Sequence, residues 1–281
     1  VNSKGQRVKA SDSKPTVSQS GNTYTYKSST LNIKLSRRSV HGISYWVAHI
    51  KTSSAKQLKS ALSNGTYGGS RQTTSDAVSS NGGIIGVNGS AFDYGTGKPS
   101  PLGMCIKNGI IYGDYMTSYS VMAVKKDGTI YTPAQGLMGK NLLAAGVKDT
   151  YNFGPVLIKD GEAQLPWAET EKYYPRTAVG MVKPNDYVLL VTDTGSYNGL
   201  NHWDMVNIFK SYGCTYAYNL DGGGSATLYF NGKVMNKLIG NTQRPCADFL
   251  ISPDNPFPDK NPVCLHMLPK PSTQESAARS P

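Results

Sequence analysis

The chain has 281 residues, with 29 Lys and Arg against 18 Asp and Glu for a net charge of +11, and 38% of its residues are hydrophobic. Its 30 Gly and 16 Pro fall well short of a disordered or fibrous composition, so the sequence supports a packed core. No apolar run approaches the about 18 residues of a membrane helix, and no heptad, collagen or solenoid period is present.

Charge is unevenly placed. Residues 1–71 carry twelve Lys and Arg with one acid, Asp12, whereas residues 72–281 are balanced at 17 of each sign. Such a block reads as a solvated arm, a bare basic surface or a face for an anionic partner. Residues 1–20 read as a polar basic arm, 21–252 as one domain and 253–281 as a Pro-rich polar tail. Low charge density and a wealth of Ser, Thr, Asn, Gly and Tyr resemble exported proteins, so a secreted or cell-surface protein is expected.

In chain order, the first predicted element is a helix over SSAKQLKSALSNG, with Ser54 as cap, Leu58 and Leu62 one turn apart and Gly65 past the end. A weaker helix covers TTSDAVSSNG. Asn-Gly or Asp-Gly pairs at 108–109, 127–128, 160–161 and 231–232 lie between apolar residues and predict four hairpins. The pairs at 64–65 and 198–199 lack such flanks and read as loops. In NHWDMVNIFKSYG, Met205, Ile208, Phe209 and Tyr212 follow helical spacing, Asn201 and Asp204 form a capping box, and Gly213 ends the helix.

That helix lies between YVLLVTD and TYAYNLD, two buried-strand signals. The pattern reads as a β-α-β unit with parallel strands, each ending in a carboxylate, Asp193 and Asp221. Open sheets collect ligands beyond such edges. Either Asp alone is a common turn former; the two together favour a site. The expected fold class is α+β, with a mixed sheet, hairpins, the β-α-β unit and helices packed on the sheet.

After Asp221 come Gly222, Gly223, Gly224 and Ser225. Three glycines persist where backbone needs a positive φ or close approach, and their N–H groups suit a tight turn or an anion nest. Spacing excludes a Walker loop and a dinucleotide fingerprint. Cys105, Cys214, Cys246 and Cys264 form no C-x-x-C pair, and read as buried thiols or as one of three disulfide pairings. His41, His49, His202 and His266 show no zinc spacing, and His202, at a helix start, reads as a surface or capping residue.

The segment YNLDGGGSATLYFNGKVMN, preceded by PRTAVGMVKPNDYVLLVTD and followed by RPCADFLIS, resembles the phosphodiester glycosidase family. Upstream, GVNGSAFDYGTGKPSPLGMCIKNG resembles the family's N-G-G-F-F segment, and FGPVLIKDG its G-P-x-L block. The matches run from about residue 20 to 252. Ser90-Ala91-Phe92 departs from the family's Gly and aromatic pair, which places the shape of the sugar pocket in question.

The resemblance implies hydrolysis of a sugar-1-phosphodiester at the anomeric C–O bond, giving a sugar, with N-acetylglucosamine the model, and a phosphomonoester. Phosphate leaves readily, so charge neutralisation and support of an oxocarbenium-like centre matter more than strong protonation. On that reading Asp193, Asp221 and Arg176 are catalytic. Asn88, Asn219, Gly222, Gly223, Gly224, Ser225, Thr227 and Arg244 bind substrate, with Arg244 a second phosphate ligand. The partner is an anionic phosphate-containing glycan or glycopolymer, without specific nucleic-acid binding. No particular cofactor is implied; a divalent cation near Asp193 and Asp221 stays open. Two other readings stand alongside: a phosphodiesterase cleaving P–O, and a non-catalytic module binding an anionic polymer.

Overall fold

The computed structural model describes residues 14–93, 100–164 and 173–254. Most of the predicted arm and tail, Cys264, His266 and positions 94–99 of the upstream family segment lie outside these residues. The first strands are β1 (Thr16–Ser20), β2 (Thr23–Lys27), β3 (Leu31–Val40), β4 (Ile43–Thr52), β5 (Lys59–Leu62) and β6 (Gly83–Asn88). Then come β7 (Cys105–Lys107), β8 (Ile110–Gly113), β9 (Ser120–Lys125), β10 (Ile130–Tyr131), β11 (Val147–Phe153), β12 (Val156–Lys159) and β13 (Glu162–Ala163). The last are β14 (Thr177–Lys183), β15 (Asp186–Thr192), β16 (Tyr216–Leu220), β17 (Leu228–Phe230), β18 (Lys233–Val234) and β19 (Asp248–Pro253). The helices are α1 (Thr74–Ser80), α2 (Gly139–Ala144) and α3 (His202–Ser211).

The fold is β-dominated. A nine-stranded sheet in the order β1-β2-β3-β4-β15-β14-β16-β12-β13 packs against a five-stranded sheet, β18-β17-β6-β19-β5, and a three-stranded sheet, β10-β9-β11. Alternation on β3 sends Leu31, Ile33 and Leu35 into this shared core, where Tyr151, Tyr187 and Tyr218 are also buried. The opposite face of the large sheet is covered by α3 through Met205, Val206, Ile208 and Phe209, which meet Val47, Leu157, Ala178 and Leu190.

All four predicted hairpins form, as β7–β8, β9–β10, β12–β13 and β17–β18. In three of them the Asn or Asp and the following Gly both take positive φ: 51° and 78° at Asn108–Gly109, 53° and 82° at Asp160–Gly161, 44° and 90° at Asn231–Gly232. These values match the primed turns that twist with their strands. Helix α3 has the Asn201–Asp204 capping box and ends before Gly213 at φ 75°. Helix α1 occupies the weaker helical signal.

Two expectations are corrected. Ser54 does cap, but only the single 3-10 turn Ala55–Gln57; Leu58 follows it, and Lys59–Leu62 form β5, paired with β19. Backbone bonds and burial offered by the sheet outweigh a modest helical preference. The large sheet is also not mixed, since every strand pairing among the described residues is antiparallel. Strands β15 and β16 do run in the same direction around α3, as the β-α-β reading required. They are not neighbours, because β14 hairpins onto β15 and lies antiparallel to both.

Candidate active site

The C-terminal end of β16 delivers Asp221 to the edge of the large sheet. Its backbone is held on both sides: its N–H donates to Gly89 O at 3.0 Å, and its carbonyl accepts Asn88 Nδ2 at 2.6 Å. Asn88 is fully buried, and its Oδ1 accepts Thr177 Oγ1 at 2.8 Å and the Thr227 N–H at 3.2 Å. Asn88 and Thr227 therefore stand behind the turn. Asn88-Gly89-Ser90 has the form of an N-glycosylation sequon, but burial leaves no access for a glycan at Asn88 in the folded protein.

Each glycine after Asp221 has its own steric reason. A Cβ on Gly222 would lie 2.5 Å from Pro175 O, Gly223 has φ 58°, and a Cβ on Gly224 would lie 2.5 Å from Arg244 Nη2. The turn thus lets backbone pass beneath Pro175 and lets Arg244 lie on Gly224. Two of the three amides are already used, Gly222 N–H by Asp221 Oδ1 and Gly223 N–H by Pro175 O, both at 2.9 Å. The triglycine shapes the floor more than it supplies an anion nest.

Above this floor is a cleft of about 410 Å³ lined by Asp221, Arg176, Arg244, Asn219, His202 and the glycines. Phe153, Tyr174 and Tyr197 are its aromatic wall and rim, the two tyrosines being 45% and 65% exposed. Arg176 is fixed by Nε donating to Leu200 O at 3.1 Å and by its guanidinium lying over the Tyr174 ring at 5.4 Å. Arg244 reaches Ser225 Oγ from Nη1 at 3.4 Å. Asn219 donates Nδ2 to Gly154 O at 2.7 Å, while its buried Oδ1 has no partner among the described residues.

Burial raises the Asp221 carboxyl from the ordinary 3.8 to about 6. The Ser225 hydroxyl, the Gly222 N–H and Arg244 pull it back down, and Asp248 pushes it up. A carboxyl with that value changes protonation close to neutrality, as an acid or base in catalysis must. Asp221 is also the sole carboxylate lining the cleft among the described residues.

His202, read from sequence as a surface or capping residue, is 2% exposed and lines the same cleft. Neither ring nitrogen has a hydrogen-bond partner among the described residues. Burial and nearby Arg176 lower its pKa to about 4, so the imidazole is neutral at pH 7. One signal for it was available: the residue after Asn201 opens a helix that starts at a strand edge.

Asp193 does not line the cleft. Its Oδ2 pairs with Arg37 Nε and its Oδ1 accepts the Lys237 N–H at 2.6 Å. Both oxygens tie β15 to neighbouring chain, and of the two aspartates Asp221 alone lines the cleft. Among the described residues no group of three His, Cys, Asp or Glu is placed to hold a metal ion. Cys105, Cys214 and Cys246 are free, buried thiols, each raised to about 12 by burial.

The departure at Ser90-Ala91-Phe92 lies beneath the cleft rather than in it. Ser90 donates Oγ to Asp248 Oδ2 at 2.8 Å, and Phe92 is in a small core with Phe249. Asp248 is fully buried against Lys107 Nζ at 2.7 Å. Lys107→Ala would leave that carboxylate buried without its cation. It is expected to lower unfolding free energy by about 3–5 kcal/mol, read as a lower denaturant midpoint at unchanged slope.

Residues 81–251 match the family profile described as phosphodiester glycosidase. The chain is 28% identical over 235 residues to the SPbeta prophage-derived uncharacterized protein YomE of Bacillus subtilis, covering 74% of this chain and 36% of that protein. It is 28% identical over 203 residues to the mouse N-acetylglucosamine-1-phosphodiester alpha-N-acetylglucosaminidase, covering 62% of this chain and 37% of the enzyme. The chain thus spans just over a third of the length of these relatives. The zebrafish enzyme's catalytic domain, solved auto-inhibited by its pro-peptide, shares the fold at a TM-score of 0.65 and 20% identity, covering 80% of this chain and 83% of that one. With more than half of its length matched and the triglycine, Arg176 and Arg244 built around one cleft, the chain belongs to the phosphodiester glycosidase family.

Proposed function

We propose that this protein is a hydrolase cleaving a sugar-1-phosphodiester at the anomeric C–O bond, releasing the sugar and a phosphomonoester. The observation that carries this reading is a carboxyl raised to about 6 in a cleft that also presents two arginines. Arg176 and Arg244 neutralise the phosphodiester and the second negative charge the phosphate gains as it leaves. The sugar lies against Phe153, Tyr174 and Tyr197, and Asn219 Oδ1 accepts a sugar hydroxyl or an acetamido N–H.

Asp221, ionised above pH 6, takes the proton of the water that attacks the anomeric carbon, or faces the developing cation at that carbon. The C–O bond breaks, its electron pair leaves with the phosphate oxygen, and the water oxygen ends on the sugar. Neutral His202 offers an uncharged donor or acceptor beside Arg176. Asn88, Ser225 and Thr227 position the turn. Asp193 shapes the sheet edge through Arg37 and the Lys237 amide.

The substrate class follows from the family, and N-acetylglucosamine from the mouse relative's name. Export is proposed from composition; among the described residues no helix is long and apolar enough to cross a membrane. The test is phosphorus NMR with an N-acetylglucosamine-1-phosphodiester in ¹⁸O water. An unlabelled phosphomonoester is expected. Label in the phosphate would establish P–O cleavage instead, and binding without turnover would leave a polymer-binding module.

A further inference from the structure

The α3 side of the large sheet holds a second concavity, remote from Asp221. Lys34 and Arg38 of β3, Tyr45 and His49 of β4, and Ser211 and Tyr212 at the end of α3 line a cleft of about 350 Å³. Strand alternation explains the cations: Leu31, Ile33 and Leu35 face the core, so Lys34 and Arg38 face the other way and are exposed. No Asp or Glu occurs between Asp12 and Asp76, so β1–β4 bring only positive charge to this face.

The two nearby carboxylates come from other elements, and each meets a histidine, Asp186 the cleft's own His49 and Asp204 His41. Asp186 contacts His49 Nε2 at 2.5 Å and Lys51 Nζ at 3.8 Å. Asp204 contacts His41 Nε2 at 3.3 Å and accepts the Asn201 N–H at 3.3 Å. Among the described residues, neither Lys34 nor Arg38 has an ion-pair partner. Burial raises the pKa of the Tyr45 hydroxyl and keeps it a donor, with Arg38 near enough to pull the other way.

Sheet register connects this cleft to the catalytic one. Arg38 is opposite Tyr45, and Tyr45 is opposite Thr192. The Thr192 N–H donates to Arg176 O at 3.0 Å, and the Thr177–Leu220 pair places Asp221 one step on, opposite Arg176. This row crosses five strands on one face of the sheet. Four strand spacings separate Arg38 from Asp221, roughly 19 Å. Helix α3 spans the same interval, with His202 in the catalytic cleft and Ser211 and Tyr212 in the basic one.

We propose that Lys34 and Arg38 form a second anion subsite, which holds one phosphate of a polymeric sugar-1-phosphodiester while another phosphodiester of the same chain occupies the catalytic cleft. This rests on the glycosidase reading of that cleft. A guanidinium and an ammonium without ion-pair partners among the described residues suit a phosphate, and the Tyr45 and Tyr212 hydroxyls supply further donors. A substrate with one phosphate is too short to reach both sites. A repeating polyanion reaches both, and gains affinity from the second contact without any change at the reacting atoms.

The test compares wild type with the Lys34→Gln/Arg38→Gln double variant on two substrates. One is methyl N-acetylglucosamine-1-phosphodiester and the other a poly(N-acetylglucosamine-1-phosphate) of many repeats. The variant is expected to keep kcat/KM on the small substrate and to show about tenfold higher KM on the polymer at low salt, a gap that closes as salt rises. Equal KM on the polymer, or equal losses on both substrates, would overturn the subsite. An arm independent of turnover uses labelled inorganic polyphosphate and anisotropy, with Asp221→Asn as the parent protein. Binding there is expected to weaken about tenfold when Lys34 and Arg38 are replaced, and to persist in the charge-preserving Lys34→Arg/Arg38→Lys swap. Inorganic phosphate at equal phosphate concentration is expected not to compete; full competition would assign the site to free phosphate and overturn the polymer subsite. If wild type cleaves neither substrate while polyphosphate binding still depends on Lys34 and Arg38, the glycosidase reading fails and the anion site stands.

Discussion

Asp221→Asn is expected to abolish turnover and, at neutral pH, to make the protein more stable. The loss follows from its position as the cleft's own carboxylate, and removing a general acid or base costs about 10³-fold in rate. The gain follows from its titration. Its folded-state pKa is about 6, above the ordinary 3.8, so the folded protein binds a proton more tightly than the unfolded chain. Below pH 4 both states are protonated and the group costs nothing. As pH rises through the interval, stability falls, and above pH 6 the full cost of about 3 kcal/mol is present. Asparagine keeps the shape and an acceptor for the Gly222 N–H but never carries the charge. Its melting temperature should exceed wild type by several degrees at pH 8 and converge with it near pH 4. In the wild type, kcat/KM should rise with pH and level off above about 6 if the ionised form acts. Equal melting temperatures at pH 8 would show that the carboxylate is not held against its environment, and retained activity would remove Asp221 from the mechanism.

The legible parts of this fold are those decided within a few residues. Asn108–Gly109, Asp160–Gly161 and Asn231–Gly232 turn as read because two consecutive positive φ angles are a local requirement that few residue pairs meet. Helix α3 carries its cap, its period and its stop in thirteen residues. What failed depended on partners far along the chain. Leu58 and Leu62 fit a helical stripe, but β19, nearly two hundred residues later, recruits Lys59–Leu62 as a strand. The shared direction of β15 and β16 was legible from the helix between them. The insertion of β14 was not, since nothing local names a strand's neighbour.

The site divides in the same way. Asp221, Arg176, Arg244 and Asn219 were identifiable as residue types suited to phosphate and sugar, and all four line one cleft. Asn88, Ser225 and Thr227 are buried in or behind the turn and hold it, a distinction that depends on burial. Asp193 marks the limit of such reading, since a carboxylate at a strand end looks the same in sequence whether or not it pairs, as here, with Arg37 from another strand. His202 escaped because a histidine beside a cap is ordinary until a helix start is seen to open on a cleft.

Arg176→Ala and Arg244→Ala should each lower kcat/KM on the phosphodiester by about 10²–10³-fold, the effect of removing one donor aimed at developing negative charge. The stronger expectation concerns a substrate without phosphate. On a neutral aryl glycoside of the same sugar there is no phosphate charge to meet, so both variants should lose little, whereas Asp221→Asn should lose activity on both substrates. Loss on both by the arginine variants would mean that they hold the sugar or the fold. Gly224→Ala supplies a control that replaces no functional side chain. Its Cβ would lie 2.5 Å from Arg244 Nη2, so the guanidinium must move off the turn. Gly224 has no positive φ to satisfy, so the substitution should displace Arg244 with a smaller effect on backbone than at Gly223, whose φ is 58°. The Gly224 variant should therefore reproduce the Arg244→Ala selectivity, a large loss on the phosphodiester and a small one on the aryl glycoside. If it loses both activities together, the turn itself rather than the position of Arg244 is what the third glycine protects.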